Sequence, residues 1–131
     1  MRQIFNNLWL GDYDDLEKCS NKKGWIVIYV GYDSRFEREG KNVIYYKLID
    51  DAIKQGEVIN NAVSYLERYG SNYKNILVCC DAGLSRSPYI VARLISQRLG
   101  CNMDTAYKML KAVYPQADEN TPLRINDEVV E

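Results

Sequence analysis

Four stretches of the chain carry the apolar and β-branched runs that are typical of buried strands. The runs at 25–31 (WIVIYVG) and 75–80 (NILVCC) have almost no polar interruption, as in strands of a parallel sheet that are covered on both faces. A third run covers 42–49, and the opening stretch 2–11 (RQIFNNLWLG) predicts two short strands broken at its Asn pair.

Apolar positions repeat with helical spacing in the stretches between these strands. They predict helices over 12–18, 56–70, 88–99 and 102–115. Asp12 and Asn102 suit N-caps, and Gly70, Gly100 and Pro115 suit stops. The buried stripe predicted for the third helix comprises Ile90, Val91, Leu94, Ile95 and Leu99, with Pro88 in its first turn. A short terminal helix is predicted after Thr121 and Pro122.

Strands and helices alternate from residue 25 onward, which predicts an α/β fold with a central, mainly parallel sheet of four to five strands flanked by helices. In such folds, ligands bind at the carboxyl ends of the strands. The predicted strand 75–80 ends in two adjacent cysteines immediately before a helix, so this strand end is the first place to look for chemistry.

Size and charge narrow the class of protein. The chain has 131 residues, which suits one domain spanning 1–131, and its net charge of −1 gives no reason to expect nucleic acid or an anionic membrane as a partner. No apolar run approaches the ~20 residues that span a bilayer, and the start lacks the pattern of a signal peptide. We therefore expect a soluble cytoplasmic protein, in the cytoplasm of the host if the chain is viral.

The four cysteines stand in a chain without histidine. None of them forms a CxxC pair, so a structural zinc site is improbable, and so is a disulfide framework. The lack of histidine also excludes every Ser-His and Cys-His pair. A cysteine nucleophile in this chain needs another source of activation.

The segment from Cys80 to Arg86 supplies such a source. It leads into the N-terminus of a predicted helix, where unpaired N–H groups and the helix dipole favour an anion. Gly83 allows a close approach of main chain to ligand, and the guanidinium of Arg86 offers a two-pronged donor for phosphate. In that field a thiol pKa falls from its usual value of about 8.5. Cys80 is therefore predicted to be a thiolate facing an oxyanion.

These residues resemble a known family. Five residues separate Cys80 from Arg86, as in the CX5R loop of the cysteine-dependent protein tyrosine phosphatases, and VCCDAGLSRSP is similar to the HCxxGxSRSP loop of the small dual-specificity phosphatases. Weaker similarity extends to NLWLGDYDDL, WIVIYVG and AYKMLKAVYPQA. The resemblance therefore covers nearly the whole chain and is strongest in the loop.

The resemblance implies a mechanism that uses no metal or other cofactor. Cys80 attacks phosphorus to form a cysteinyl-phosphate, and Arg86 holds the equatorial oxygens. Ser87 helps the thiolate leave when water cleaves the intermediate. The phosphate is bound by the loop positions Asp81, Ala82, Gly83, Leu84, Ser85 and Arg86.

The resemblance also implies an aspartic acid that protonates the leaving group, roughly thirty residues before the cysteine. The segment KLIDDAIKQG offers Asp50 and Asp51. Asp51 is preferred, because family members with a paired Asp tend to use the second, and Asp50 stays open as an alternative. The structural interpretation is that one or both residues cap the turn that leads to the following helix, and it applies to at least one of them.

One position departs from the family pattern, because Cys79 stands where relatives keep a histidine. Its simplest interpretation is a small buried apolar residue at a strand end. A sharper hypothesis is redox protection, in which Cys79 captures an oxidised Cys80.

The loop residues also bear on the substrate. Asp81, Ala82 and Leu84 are not basic, and Ser87-Pro88 replaces the Thr-Gly of many phosphoinositide and RNA phosphatases. The resemblance thus favours phosphoproteins carrying phosphotyrosine and also phosphoserine or phosphothreonine. Two alternatives stay open: an RNA 5′-triphosphatase or other small-phosphoester phosphatase, and a non-catalytic phosphate-binding module. A rhodanese-type sulfur transferase also has a Cys loop at a strand end, but the Ser-Arg-Ser-Pro continuation fits it poorly.

Overall fold

The structure, a computed structural model, describes residues 1–31, 42–48, 55–119 and 123–124. The strands within those ranges are β1 (Arg2–Phe5), β2 (Leu8–Gly11), β3 (Trp25–Gly31), β4 (Val43–Lys47) and β5 (Asn75–Cys79). The helices are α1 (Tyr13–Cys19), α2 (Gly56–Tyr69), α3 (Arg86–Leu99) and α4 (Met103–Val113), and a 3₁₀ turn (Gly70–Asn72) follows α2.

The strands form one five-stranded sheet in the order β1-β2-β5-β3-β4. The pairs β2–β5, β5–β3 and β3–β4 are parallel, and only the edge strand β1 runs antiparallel to its neighbour. The predicted α/β class with a mainly parallel sheet is confirmed. Because β5 lies at the centre, the loop after it is flanked by the ends of β2 and β3.

Hydrophobic cores cover both faces of the sheet. The larger core joins side chains of alternate strand positions to the apolar stripes of α2, α3 and α4. The smaller core lies under α1 and includes Leu16, Cys19, Val27, Leu77 and Cys79. Burial on both faces explains why the central strands read as continuous apolar runs.

Helix α1 begins with a capping box, which fixes its position beside the end of β2. The Asp12 carboxylate accepts from the Asp15 N–H at 3.1 Å, and the Asp15 carboxylate accepts from the Asp12 N–H at 3.1 Å. The predicted cap at Asp12 is therefore confirmed, as is the cap at Asn102, which accepts from the Thr105 N–H at 2.8 Å.

Helix α3 differs from its prediction at both ends. It begins at Arg86 rather than Pro88, because Ser85 takes the N-cap position, and Arg86 and Ser87 are its first helical residues. At the other end, Leu99 is 59% exposed although it was predicted to face the core. The left-handed turn at Gly100 carries the chain away directly after it, and the elements that pack on α3 cover its earlier turns.

Smaller differences concern the other boundaries. Strand β4 is shorter than the predicted run 42–49, since it ends at Lys47. Gly70 ends α2 as predicted, but with right-handed angles that continue into the 3₁₀ turn. The cap predicted at Thr121 and Pro122 lies outside the described residues.

Every helix in the described part of the chain is too short or too polar to cross a lipid bilayer.

Candidate active site

The loop from Cys80 to Arg86 connects the end of β5 to the start of α3. Cys80 is 2% exposed and Ser87 is fully buried, and the sulfur lies 3.1 Å from the Ser87 hydroxyl oxygen. Ser87 can reach back to the sulfur because α3 begins one residue earlier. The strand end and the first helical turn thus place the Ser87 hydroxyl within hydrogen-bond distance of the thiol.

Arg86 stands at the first position of α3, where its guanidinium reaches across the loop. Its Nη1 donates to the main-chain oxygen of Leu48 at 3.3 Å, and its Nη2 donates to the Asp81 carboxylate at 3.1 Å. The side chain is 16% exposed. Arg86 therefore lies partly buried between the end of β4 and the loop itself.

Asp81 is held on three sides. Its carboxylate accepts from Arg86 and from the buried hydroxyl of Tyr29, which lies on the central strand β3. Its main-chain oxygen accepts from the Tyr13 N–H at 3.2 Å, which ties the loop to the start of α1. The Asp81 side chain is still 44% exposed, so it lies at the rim of the loop.

Gly83 occupies a position that no other residue fits. Its φ of +70° lies in the left-handed region. A Cβ there would stand 2.8 Å from the main-chain oxygen of Gly11 and 3.0 Å from the Tyr114 hydroxyl. The loop thus packs its backbone directly onto the end of β2.

The end of α4 braces the loop from the other side. The Tyr114 hydroxyl, which is buried, donates to the main-chain oxygen of Gly83 at 2.7 Å, and the Asp118 N–H donates to that of Leu84 at 2.7 Å. Burial, and secondarily the charge of nearby Cys80, raise the pKa of Tyr114 to about 12. Tyr114 is therefore a donor over the whole physiological range.

Replacing Tyr114 by phenylalanine should loosen the loop and lower the free energy of unfolding by about 1–2 kcal/mol, since a buried carbonyl loses its donor. The folded pKa lies above the ordinary value of about 10, so this contribution is complete below pH 10 and is lost as pH rises toward 12. Denaturant unfolding at pH 7 and across the range 9–12 measures both effects, with the exposed Tyr69→Phe as control. Equal stability of wild type and Tyr114→Phe at pH 7 would contradict this role.

The side chains of Cys79 and Cys80 lie on opposite faces of the sheet. Cys80 joins the core under α3, whereas Cys79 joins the core under α1 beside Leu16 and Tyr29. Burial, and secondarily the nearby Cys80, raise the pKa of the Cys79 thiol well above its usual range. These observations agree with the interpretation of Cys79 as a small buried apolar residue and disfavour capture of Cys80 by its neighbour.

The remaining predicted residues fall into two groups. Ala82 and Leu84 are exposed and Ser85 is half-buried, all on the loop between the sulfur and the guanidinium. Asp50 and Asp51 lie outside the described residues. Sequence reasoning missed Tyr29 and Tyr114. Tyr29 stands within a continuous apolar run and reads as core, while the Tyr-Pro step that ends α4 was the available signal for Tyr114.

The arrangement is suited to hold an oxyanion. A helix N-terminus presents main-chain N–H groups to an anion, and the loop that leads into α3 begins at the Cys80 thiol and ends at the Arg86 guanidinium. The loop thus combines a thiol, which can act as a nucleophile, with a planar guanidinium donor for an oxyanion.

Comparison with known proteins gives a consistent result. The sequence matches the family "Dual specificity phosphatase, catalytic domain" over residues 8–125. No curated protein matches it.

Solved structures share the fold. The crystal structure of DUSP15 superposes with a TM-score of 0.75 at 21% identity, over 98% of this chain and 85% of that chain. The crystal structure of human DUSP28 superposes with a TM-score of 0.70 at 18% identity, over 99% of this chain and 97% of that chain. The crystal structure of a leucine rich repeat and phosphatase domain containing protein from Entamoeba histolytica superposes with a TM-score of 0.73 at 14% identity, over 98% of this chain and 91% of that chain. The family match, the fold and the loop agree, and the chain belongs to the dual-specificity phosphatase family.

Proposed function

We propose that residues 1–131 form one catalytic domain, a cysteine-dependent protein phosphatase that hydrolyses phosphotyrosine and also phosphoserine and phosphothreonine. The observation that supports this most directly is the juxtaposition in the loop. The Cys80 sulfur lies 3.1 Å from Ser87, and Arg86 closes the same seven-residue segment with its guanidinium. The match of residues 8–125 to the family "Dual specificity phosphatase, catalytic domain" supports the same function.

In the proposed reaction, the Cys80 thiolate attacks phosphorus and displaces the side-chain oxygen of the substrate. Arg86 and the loop N–H groups bind the equatorial oxygens as charge shifts toward the leaving group. Water then attacks the cysteinyl-phosphate, which releases inorganic phosphate and the thiolate. The 3.1 Å contact between Ser87 and the sulfur supports the role of Ser87 in that second step, because a thiolate accepts the hydrogen bond of the hydroxyl and is stabilised as it departs.

The substrate class follows from the rim of the loop. Ala82 and Leu84 are exposed and uncharged, and Asp81 adds a negative charge. A polyphosphate or a phosphoinositide headgroup brings several further charges that this rim does not neutralise. A singly phosphorylated side chain suits it better, so phosphoproteins are the proposed substrates and nucleic acid is not.

A substrate panel tests this proposal. Phosphotyrosine, phosphoserine and phosphothreonine peptides, a 5′-triphosphorylated RNA and a phosphoinositide are compared by release of inorganic phosphate. We expect kcat/KM to be highest for the phosphotyrosine peptide, with measurable turnover of the other two peptides. Higher kcat/KM on the RNA or the lipid would contradict the proposed substrate class, and inactivity on every substrate would contradict the proposed activity.

We also propose that Asp51 protonates the leaving group, with Asp50 as the alternative. Asp51→Ala should lower kcat/KM by about 10²-fold or more on phosphopeptides and much less on an aryl phosphate with a good leaving group, because only a poor leaving group needs the proton. Asp50→Ala is the matched control. If Asp50→Ala shows the selective loss and Asp51→Ala does not, the assignment moves to Asp50.

A further inference from the structure

The contacts of Asp81 make its carboxylate a competitor for the guanidinium of Arg86. Asp81 directly follows Cys80, and its Oδ2 lies 3.1 Å from Nη2, one of the donors that the proposed function assigns to phosphate. A phosphoryl oxygen that takes the N–H now bonded to Asp81 must replace the carboxylate oxygen.

The carboxylate is anchored, so it stays close when it is displaced. Its other oxygen accepts from the Tyr29 hydroxyl, and Tyr29 is fully buried in the central strand β3. The Asp81 main-chain oxygen is bound to the Tyr13 N–H. The backbone and one carboxylate oxygen are therefore fixed, and the contact that can open without disturbing the fold is the one to Arg86.

The surrounding charge makes this competition significant. Asp81 is the one acidic residue between Cys80 and Arg86, and Arg86 is the one basic residue that ends this segment. A carboxylate and a phosphate dianion within a few ångströms of one guanidinium repel each other, and a rim position screens that repulsion only partly. Because the Asp81 side chain is 44% exposed, its carboxylate can also meet groups of the substrate that flank the phosphate.

We propose that Asp81 is a specificity-determining residue, which competes with the substrate phosphate for Arg86 and selects phosphopeptides that carry a lysine or arginine beside the phosphorylated residue. A flanking cation pairs with the carboxylate that the phosphate displaces, whereas a flanking acidic residue or second phosphate adds to the repulsion. The proposal rests on the proposed function, since it concerns the same oxyanion site.

Binding of inorganic phosphate tests the competition without any turnover. The dissociation constant is measured by NMR titration for Cys80→Ser and for Cys80→Ser combined with Asp81→Asn, at low and at high ionic strength. Asparagine keeps the size of the side chain and an oxygen that accepts from Tyr29. We expect the second variant to bind phosphate about tenfold more tightly at low ionic strength, and the difference to shrink with added salt.

The control is Cys80→Ser combined with Asp104→Asn, which also removes one exposed carboxylate. Asp104 lies at the start of α4, which follows the end of α3 that is far from the loop. Its dissociation constant should equal that of Cys80→Ser. Unchanged or weaker phosphate binding in the Asp81→Asn variant overturns the proposal, and so does a lack of phosphate binding in all three proteins. Thermal unfolding of each variant is recorded beside the titration. If Asp81→Asn does not fold, the same comparison is made with Asp81→Ser.

The selectivity is measured with wild type and Asp81→Asn on two phosphotyrosine peptides that differ only in flanking lysines or glutamates. We expect wild type to favour the lysine peptide by about tenfold in kcat/KM, mainly through KM, and the ratio to approach one in Asp81→Asn. An equal ratio in both enzymes overturns the role in selectivity. If wild type turns over neither peptide and the tenfold change in phosphate binding persists, the proposed function fails and the competition at the oxyanion site stands.

Discussion

Replacing Cys80 by serine should abolish turnover, lowering kcat on every phosphopeptide by a factor on the order of 10⁴ or more. A serine hydroxyl is not ionised at neutral pH, and the chain has no histidine to activate it. The rest of the site should stay in place, because the loop is held by Gly11, Tyr13 and Tyr114 rather than by the sulfur. The variant should therefore still bind phosphate.

Two measurements check this expectation: single-turnover hydrolysis of a phosphotyrosine peptide, and titration with inorganic phosphate. Cys101→Ser is the matched control, since it removes a free thiol that lies beyond the far end of α3 and should leave kcat within about twofold of wild type. Turnover by Cys80→Ser at a rate close to that of wild type would show that another group is the nucleophile.

Replacing Arg86 by lysine should lower kcat by about 10²- to 10³-fold, although the positive charge is kept. In the structure the two terminal nitrogens reach two acceptors at once, the main-chain oxygen of Leu48 and the carboxylate of Asp81. A lysine ammonium cannot hold an acceptor of the protein and two oxygens of a phosphoryl group in one plane. Because the planar fork matches the transition state better than the ground state, the loss should fall mainly on kcat and less on KM.

Steady-state kinetics on phosphotyrosine peptide separate the two parameters. Arg98→Lys is the control, because Arg98 lies in the last turn of the same helix and pairs with Glu67 on the surface. It should leave kcat within about twofold of wild type. A similar loss in both variants would mean that the substitution acts on the stability of α3, and a loss of less than about threefold in Arg86→Lys would contradict the role of the guanidinium fork.

The sequence predicted the sheet well because each strand has a local signature. The uninterrupted runs over 25–31 and 75–80 proved to be the central strands β3 and β5, whose burial on both faces leaves no room for polar residues. The first residue of α3 was harder to predict from the sequence. Pro88 reads as a first-turn residue, yet Ser85 caps the helix, so Arg86 and Ser87 already belong to it. That shift is what directs the Ser87 hydroxyl toward the sulfur.

The supports of the loop could not be predicted in the same way. Tyr29 pairs with a residue 52 positions away, and Tyr114 with one 31 positions away. In the sequence, a tyrosine within an apolar run has the same pattern whether it only packs in the core or also donates its hydroxyl to a site residue. Only the three-dimensional register of β3 beside β5 brings the Tyr29 hydroxyl to Asp81.

The bracing of the loop has a consequence for how the protein folds. Gly83 rests on Gly11 and is bonded to Tyr114, so segments near both ends of the chain must dock before the loop takes its shape. Contacts of such long sequence separation are costly in chain entropy and form late. The anion site is therefore a property of the completed fold, and an anion bound there stabilises the whole molecule by mass action. Phosphate in the refolding buffer would act as a ligand of the native state alone, drawing the population toward molecules in which α4 is docked.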